Sequence, residues 1–163
     1  MRKHKLDAID RQILLDLQRE GRISNVDLAK HVGISAPPCL RRVKTLEDSH
    51  VIRGYHADID PAVFDYHLVV YANVGLEKHS DDDLQAFTAL IQTWPMVREA
   101  YMMAGETDYM LKVVARDWDH YNEFFSSTLT KAPNVVHVKS NMTIRCVKSS
   151  PGIPIELEVE DKH

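Results

Sequence analysis

Pro37 and Pro38 stand side by side in GISAPPCLRRVKTLE, residues 33–47, a stretch whose later residues are spaced like a helix. Proline has no N–H and its ring clashes with the preceding turn, so inside a helix it costs about 3 kcal/mol. In the first turn the missing donor would have had no partner anyway. The pair is therefore compatible with a helix only if the helix begins there. That start puts three cations, Arg41, Arg42 and Lys44, into its first two turns. Leu40, Val43 and Leu46 recur at helical spacing and are expected to form its buried side.

Upstream, residues 7–20 place Ile9, Ile13, Leu14 and Leu17 at helical spacing, and Gly21 follows as a stop. Ser24-Asn25-Val26-Asp27 resembles a capping box and opens a short helix carrying Leu28, Ala29 and Val32, ended by Gly33. Two helices joined by a tight, glycine-containing turn make a helix-turn-helix, here at about residues 25–44, whose second helix reads a groove. Residues 51–59, VIRGYHADI, read as two short strands around a bend, a wing against the helices, and Asp60-Pro61 breaks the pattern.

Charge supports a basic module on an acidic chain. The chain carries −4 net, yet residues 1–60 carry +2 and residues 61–163 carry −6. Residues 30–53 alone hold five Lys/Arg against two Asp/Glu. This asymmetry is that of a nucleic-acid-binding part joined to a domain with another task. On such a helix Arg41, Arg42 and Lys44 can meet guanine O6/N7 or phosphate oxygens. Ser35 would cap the helix, but the prolines have no N–H to give it, so its hydroxyl is available to a phosphate beside the stiff start at Pro37. Asn25 and Arg53 are further candidate backbone contacts. The two cysteines, Cys39 and Cys146, and the nine scattered histidines show no metal-ligand spacing, so neither metal nor cofactor is expected. No apolar run reaches the length of a bilayer span, and residues 1–5 lead into an amphipathic segment instead of a signal-peptide core; the cytoplasm is the expected location.

From residue 67 the rhythm changes. Residues 67–77 read as a strand, and Ser80 then caps a helix whose apolar face is Leu84, Phe87, Leu90, Ile91 and Trp94. Residues 97–104 and 108–115 are two strands around a tight turn at Gly105-Glu106-Thr107. A helix over 117–131 turns Trp118, Tyr121, Phe124, Phe125 and Leu129 inward, and 135–147 is the last strand. The order β-α-β-β-α-β is the ferredoxin-like arrangement. The fold class is thus α+β: a winged helix-turn-helix over 1–66, a βαββαβ domain over 67–148 and a tail over 149–163, expected to be extended and mobile. Helices on one side of four strands leave the other side bare, and a bare apolar sheet face is expected to pair with a second copy.

The segments LDAIDRQILLDLQREGRIS (6–24), VDLAKHVGIS (26–35), PPCLRRVKTLE (37–47), VIRGYHADIDP (51–61) and AGETDYMLKV (104–113) together resemble the Lrp/AsnC family of bacterial and archaeal transcription regulators. The likeness runs from about Leu6 to Lys148. It implies a regulator of transcription, not an enzyme, that binds double-stranded DNA and changes its assembly and DNA affinity with a small effector, commonly a free amino acid. It also implies a nucleoid-associated homo-oligomer of dimers, an octamer, with the effector held where two dimers meet. The effector positions carried over are the turn Gly105, Glu106, Thr107, Asp108 with Tyr109 after it, and the lining residues Met102, Trp118, Asn141, Met142 and Thr143. In that turn, backbone N–H groups near Gly105 can take a carboxylate, because glycine admits a ligand close to the chain, and the Asp108 carboxylate can take an ammonium.

Two positions depart from the family pattern. Thr107 stands where many members carry an aromatic residue, and Asn141 where some carry tyrosine. The lining therefore does not choose among leucine, methionine and other side chains. Two competing readings share the plan: an architectural DNA-bending protein with a vestigial effector site, and a haem-pathway decarboxylase. Against the second, the sheet-domain histidines His67, His120 and His137 belong to no Cys/His/carboxylate constellation for general acid–base work.

Overall fold

The computed structural model describes residues 5–157; the sequence features at 1–4 and 158–163 lie outside the described residues. The chain divides into two compact units, Ile59–Val147 and the residues before it together with those from Lys148 on. The division falls at Asp58/Ile59, eight residues earlier than the expected border, and the described residues from Lys148 on rejoin the first unit.

In the first unit, α1 (Ala8–Arg19), α2 (Asn25–His31) and α3 (Ala36–Asp48) enclose a core of Ile13, Leu28, Ala29, Cys39 and Leu46. Their starts follow local chemistry. Asp7 and Asp10 form a reciprocal capping box on α1, and Ser24 accepts from the Asp27 N–H at the start of α2. In α3 the first bond to the capping residue runs from Cys39 N to Ser35 O, so Pro37 and Pro38 occupy positions whose N–H groups no helix would use.

Three expectations are corrected here. Leu40 is not buried; it is 57% exposed. The buried seam of α3 is Ala36, Cys39, Val43 and Leu46, spaced three, four and three, and Leu40 stands one residue, about 100°, off that seam. Residues 51–60 form no strands. A lone two-stranded ribbon is marginal without a third strand or a packed face. What holds this segment instead is Tyr55, whose hydroxyl donates to Glu47 Oε1 at 2.9 Å; burial, then the carboxylate, pushes that hydroxyl up to about 12. Third, the tail is not free over its described part. Gln18 donates Nε2 to Ile153 O at 3.0 Å and accepts Ile153 N–H on Oε1 at 2.7 Å, while Arg11 donates to Glu156 O.

Gly152 permits that strap. Its φ is +76°, and a Cβ there would lie 1.9 Å from Gln18 Oε1. Gly152→Ala is expected to release residues 151–157 from α1, read as faster amide exchange in that segment with the α1 amides still protected. Unchanged exchange there would remove the strap.

In the second unit β1 (Leu68–Leu76), α4 (Asp81–Ile91), β2 (Val97–Met102), β3 (Tyr109–Ala115), α5 (Trp118–Phe124) and β4 (Val135–Met142) give the expected β-α-β-β-α-β order. The sheet is antiparallel, ordered β2-β3-β1-β4. Alternate residues Val70, Ala72, Val74 and Leu76 of β1, and Tyr109, Leu111, Val113 and Ala115 of β3, form one buried core with Phe87, Ile91, Trp94, Tyr121, Phe124 and Leu129. A π-turn over Phe125–Leu129 extends α5. The last strand ends at Met142, five residues short of expectation.

The sheet's other face is mixed, not apolar. Tyr71 lies opposite Lys112 and Asn141, Asn73 opposite Met110 and Lys139, and Lys112 pairs with Glu99 at 2.6 Å. Lys112 and the Tyr101 hydroxyl, which donates to the same carboxylate, hold Glu99 below the usual carboxylate range. Gly75, on this face, is where the His137 ring approaches: a Cβ would meet Nδ1 at 2.7 Å.

Candidate functional site

The exposed stripe of α3 is set by helical spacing. Pro37, Leu40, Arg41 and Lys44 stand at i, i+3, i+4 and i+7, and all four are exposed. Arg41 and Lys44 form no ion pair with any described residue. Ser35, at the N-cap in extended conformation, makes no side-chain cap bond, so its hydroxyl stands beside this stripe without an intrahelical partner. Arg53 is exposed in the strandless segment after α3.

Two of the candidate DNA contacts have other employment. Arg42 does not point its charge outward with Arg41: its Nη1 lies 2.7 Å from Asp7 Oδ2 and 2.8 Å from Asp10 Oδ1. Asp10 is only 5% exposed, so this guanidinium neutralises a buried carboxylate and ties α3 to the start of α1. The effect is mutual. The two aspartates raise Arg42, and the Asp10 N–H, with Arg42 behind it, holds Asp7 below the ordinary carboxylate range. Asn25 donates Nδ2 to Ala36 O at 2.9 Å, latching the start of α2 to the start of α3. Adjacent arginines on a helix differ by 100° of rotation, so one can sit on the packed side and its neighbour on the open side. Cys39 lies in the core, and burial pushes its thiol up.

The carried-over effector residues fall into two groups at opposite ends of the sheet. At one end Asp108 accepts the Leu76 N–H on Oδ2 at 2.7 Å and meets His79 Nε2 on Oδ1 at 3.0 Å, while its own N–H donates to Val74 O. Glu106 is exposed and Thr107 half-buried on this turn. Gly105 has no positive φ, and a Cβ there would meet nothing within 4 Å, so glycine is not demanded by the fold itself. Tyr109 is corrected to a core residue: it is buried against Phe87, and its hydroxyl donates to Leu84 O. At the other end Thr143 Oγ1 and N–H both donate to Val69 O, Asn141 lies opposite Tyr71, and Met142 and Trp118 are largely exposed. Val69 and Leu76 are seven residues apart on β1, about 23 Å at roughly 3.3 Å per residue.

One groove went unread in the sequence. Asp81, Leu84, Gln85, Thr88 and Ala89 of α4 line a cavity of about 440 Å3 with Met102. These residues recur at i, i+3/i+4 and i+7/i+8, a second stripe beside the apolar one, and that spacing is the signal that could have found them.

A three-helix unit with an open cationic stripe on its third helix, joined to a split βαβ sheet with an apolar groove, defines a DNA-binding regulator carrying a ligand-binding domain. The family model for winged helix-turn-helix DNA-binding matches residues 6–53, and that of the Lrp/AsnC ligand binding domain matches 69–153. The chain is 48% identical over 151 residues to a leucine-responsive regulatory protein of Rhizobium meliloti, covering 93% of this chain and 97% of that one. To the protein of that name from Escherichia coli K12 it is 36% identical over 151 residues, covering 93% and 92%. Among solved structures it resembles a transcriptional regulator of Neisseria meningitidis in complex with L-Met, with a TM-score of 0.88, 33% identity and coverage of 92% and 97%. The chain belongs to the Lrp/AsnC family of transcription regulators and is not an enzyme. No helix among the described residues is long and apolar enough to cross a membrane.

Proposed function

We propose that this regulator answers a free amino acid through a site that no single copy completes. The observation that carries the reading is the separation of the two effector groups along β1: residues about 23 Å apart cannot enclose a ligand of amino-acid size, but the end of one sheet can meet the end of another. Asp108 is the acceptor for the ammonium, sharing it with His79, and backbone N–H groups around Gly105 take the carboxylate. Met102 and the groove along α4 receive the side chain, and Asn141, Met142, Thr143 and Trp118 are supplied by another copy. The Neisseria relative's L-Met supports an amino acid as the ligand class. On this reading the chain works in the cytoplasm on the nucleoid as dimers, joined through the mixed sheet face and gathered into a larger ring such as an octamer. Ser35, Arg41, Lys44 and Arg53 contact DNA, with Pro37 stiffening the helix start.

Coupling is reciprocal: an effector that changes DNA affinity is bound with affinity changed by DNA to the same factor. The test is a thermal-shift screen against the twenty amino acids, followed by sedimentation with and without any hit. A ligand that binds only the folded assembly raises its melting temperature by mass action. The expected result is one amino acid, or a few related ones, that both stabilise the protein and shift its sedimentation. Stabilisation with the mass unchanged in a dissociated monomer would overturn the shared site.

A further inference from the structure

We infer that Leu40 reads a thymine methyl group in the major groove. The inference rests on the groove reading of α3 above and adds a base-specific contact to it. Leu40 is a large apolar side chain, 57% exposed, and it is not one of the buried core residues of its unit. It shares the exposed stripe with two cations, Arg41 beside it and Lys44 one turn on, and has Pro37 one turn before it and the Ser35 hydroxyl at the helix start.

Isolated exposed leucines are ordinary, but this one occupies the stripe that must face DNA if Arg41 and Lys44 do. A cation can satisfy itself on any phosphate, so charge alone fixes position and not sequence. An aliphatic side chain has one apolar counterpart among base edges in the major groove, the C5-methyl of thymine. Leu40 therefore supplies discrimination for T over C at the base step it covers, while Arg41 and Lys44 supply hydrogen bonds and charge.

The experiment uses the full chain and a duplex recovered by it from a random pool. Each thymine of that duplex is replaced singly by deoxyuridine, which removes one methyl and keeps the pairing. Burying one methyl is worth about fourfold in affinity. At one or two positions the uridine duplex is expected to bind about fourfold more weakly to the wild type. For Leu40→Ala the same replacement is expected to cost nothing, and the variant's salt dependence is unchanged. Uridine neutral at every position, or a penalty that persists in Leu40→Ala, overturns the assignment. A changed sedimentation of Leu40→Ala would place the side chain in a self-contact and also overturn it.

Arg41→Ala separates failure of this idea from failure of its premise. It is expected to flatten the slope of log K against log [salt] by about 0.9 if Arg41 meets a phosphate. Arg41→Ala with both affinity and slope unchanged overturns the groove reading; a flattened slope with neutral uridines overturns Leu40 alone.

Discussion

Arg42→Ala is expected to melt the first unit about 10 °C or more below wild type, with DNA binding lost as a consequence. The guanidinium bridges Asp7 and the buried Asp10. Arg42→Ala removes two charge-assisted bonds, one of them to a buried carboxylate, and Arg42 keeps some solvent contact, so the loss is about 2–3 kcal/mol. For a unit of this size each kcal/mol moves Tm by roughly 4–8 °C. Lysine can reach one carboxylate but not fork between two, so Arg42→Lys recovers only part of the loss.

The pH dependence has a definite sign. Asp7 is held below its ordinary value in the folded chain, first by the Asp10 N–H and then by Arg42. Its stabilisation is complete above the unfolded value, about 3.9, and disappears as pH falls through the lower folded value. Wild type therefore loses stability below about pH 4, and Arg42→Ala loses less of it there, having started lower. Circular-dichroism melts across pH 2–7 check both statements. An Arg42→Ala chain that melts with wild type would return Arg42 to the open face. The contrast with Arg41→Ala, a loss of charge with the fold intact, means that replacing both arginines together would mix a binding defect with a folding defect.

Asp108→Asn is expected to lower effector affinity at least thirtyfold while leaving effector-free DNA affinity within about twofold of wild type. The asparagine oxygen can still accept the Leu76 N–H, so the turn between β2 and β3 stays anchored. What is lost is the negative charge toward His79 and toward a ligand ammonium. Truncating one partner of a desolvated charge pair costs about 2–5 kcal/mol in binding. Asp108→Ala removes the same charge but also strands the Leu76 N–H, adding about 1–3 kcal/mol of folding cost. Calorimetric titration with the amino acid found in the screen distinguishes the two variants. An Asp108→Asn chain that titrates like wild type would take the carboxylate out of the site.

Much of this molecule is written in local rules. Caps at Ser24 and Ser80 are legible in the sequence, and Asp7 and Asp117 stand where the helical ranges begin; each of the four accepts an N–H three residues on in the fold. The buried residues of β1 and β3 alternate along each strand, because strand period and side-chain direction are linked within two residues. The double proline finds the start of α3 for the same reason. Leu40 escaped because a spacing of three fits a helix face as well as the true seam does, until Ala36 and Cys39 are counted with it.

The rest is decided by elements far apart in the chain. Arg42 meets Asp7 across 35 residues, Gln18 meets Ile153 across 135, and Asp108 meets Leu76 across 32. Composition and spacing register the presence of such side chains but not their partners, since a charge's role depends on what the packed fold brings within a few ångströms. The amino-acid order by itself determines where the five helices and the four sheet strands of the described residues lie, but not that residues 51–60 stay strandless or that Leu40 and Trp118 face outward. Tertiary structure alone decides which arginine is free for a polyanion, and that the two groups of candidate effector residues lie at opposite ends of one sheet.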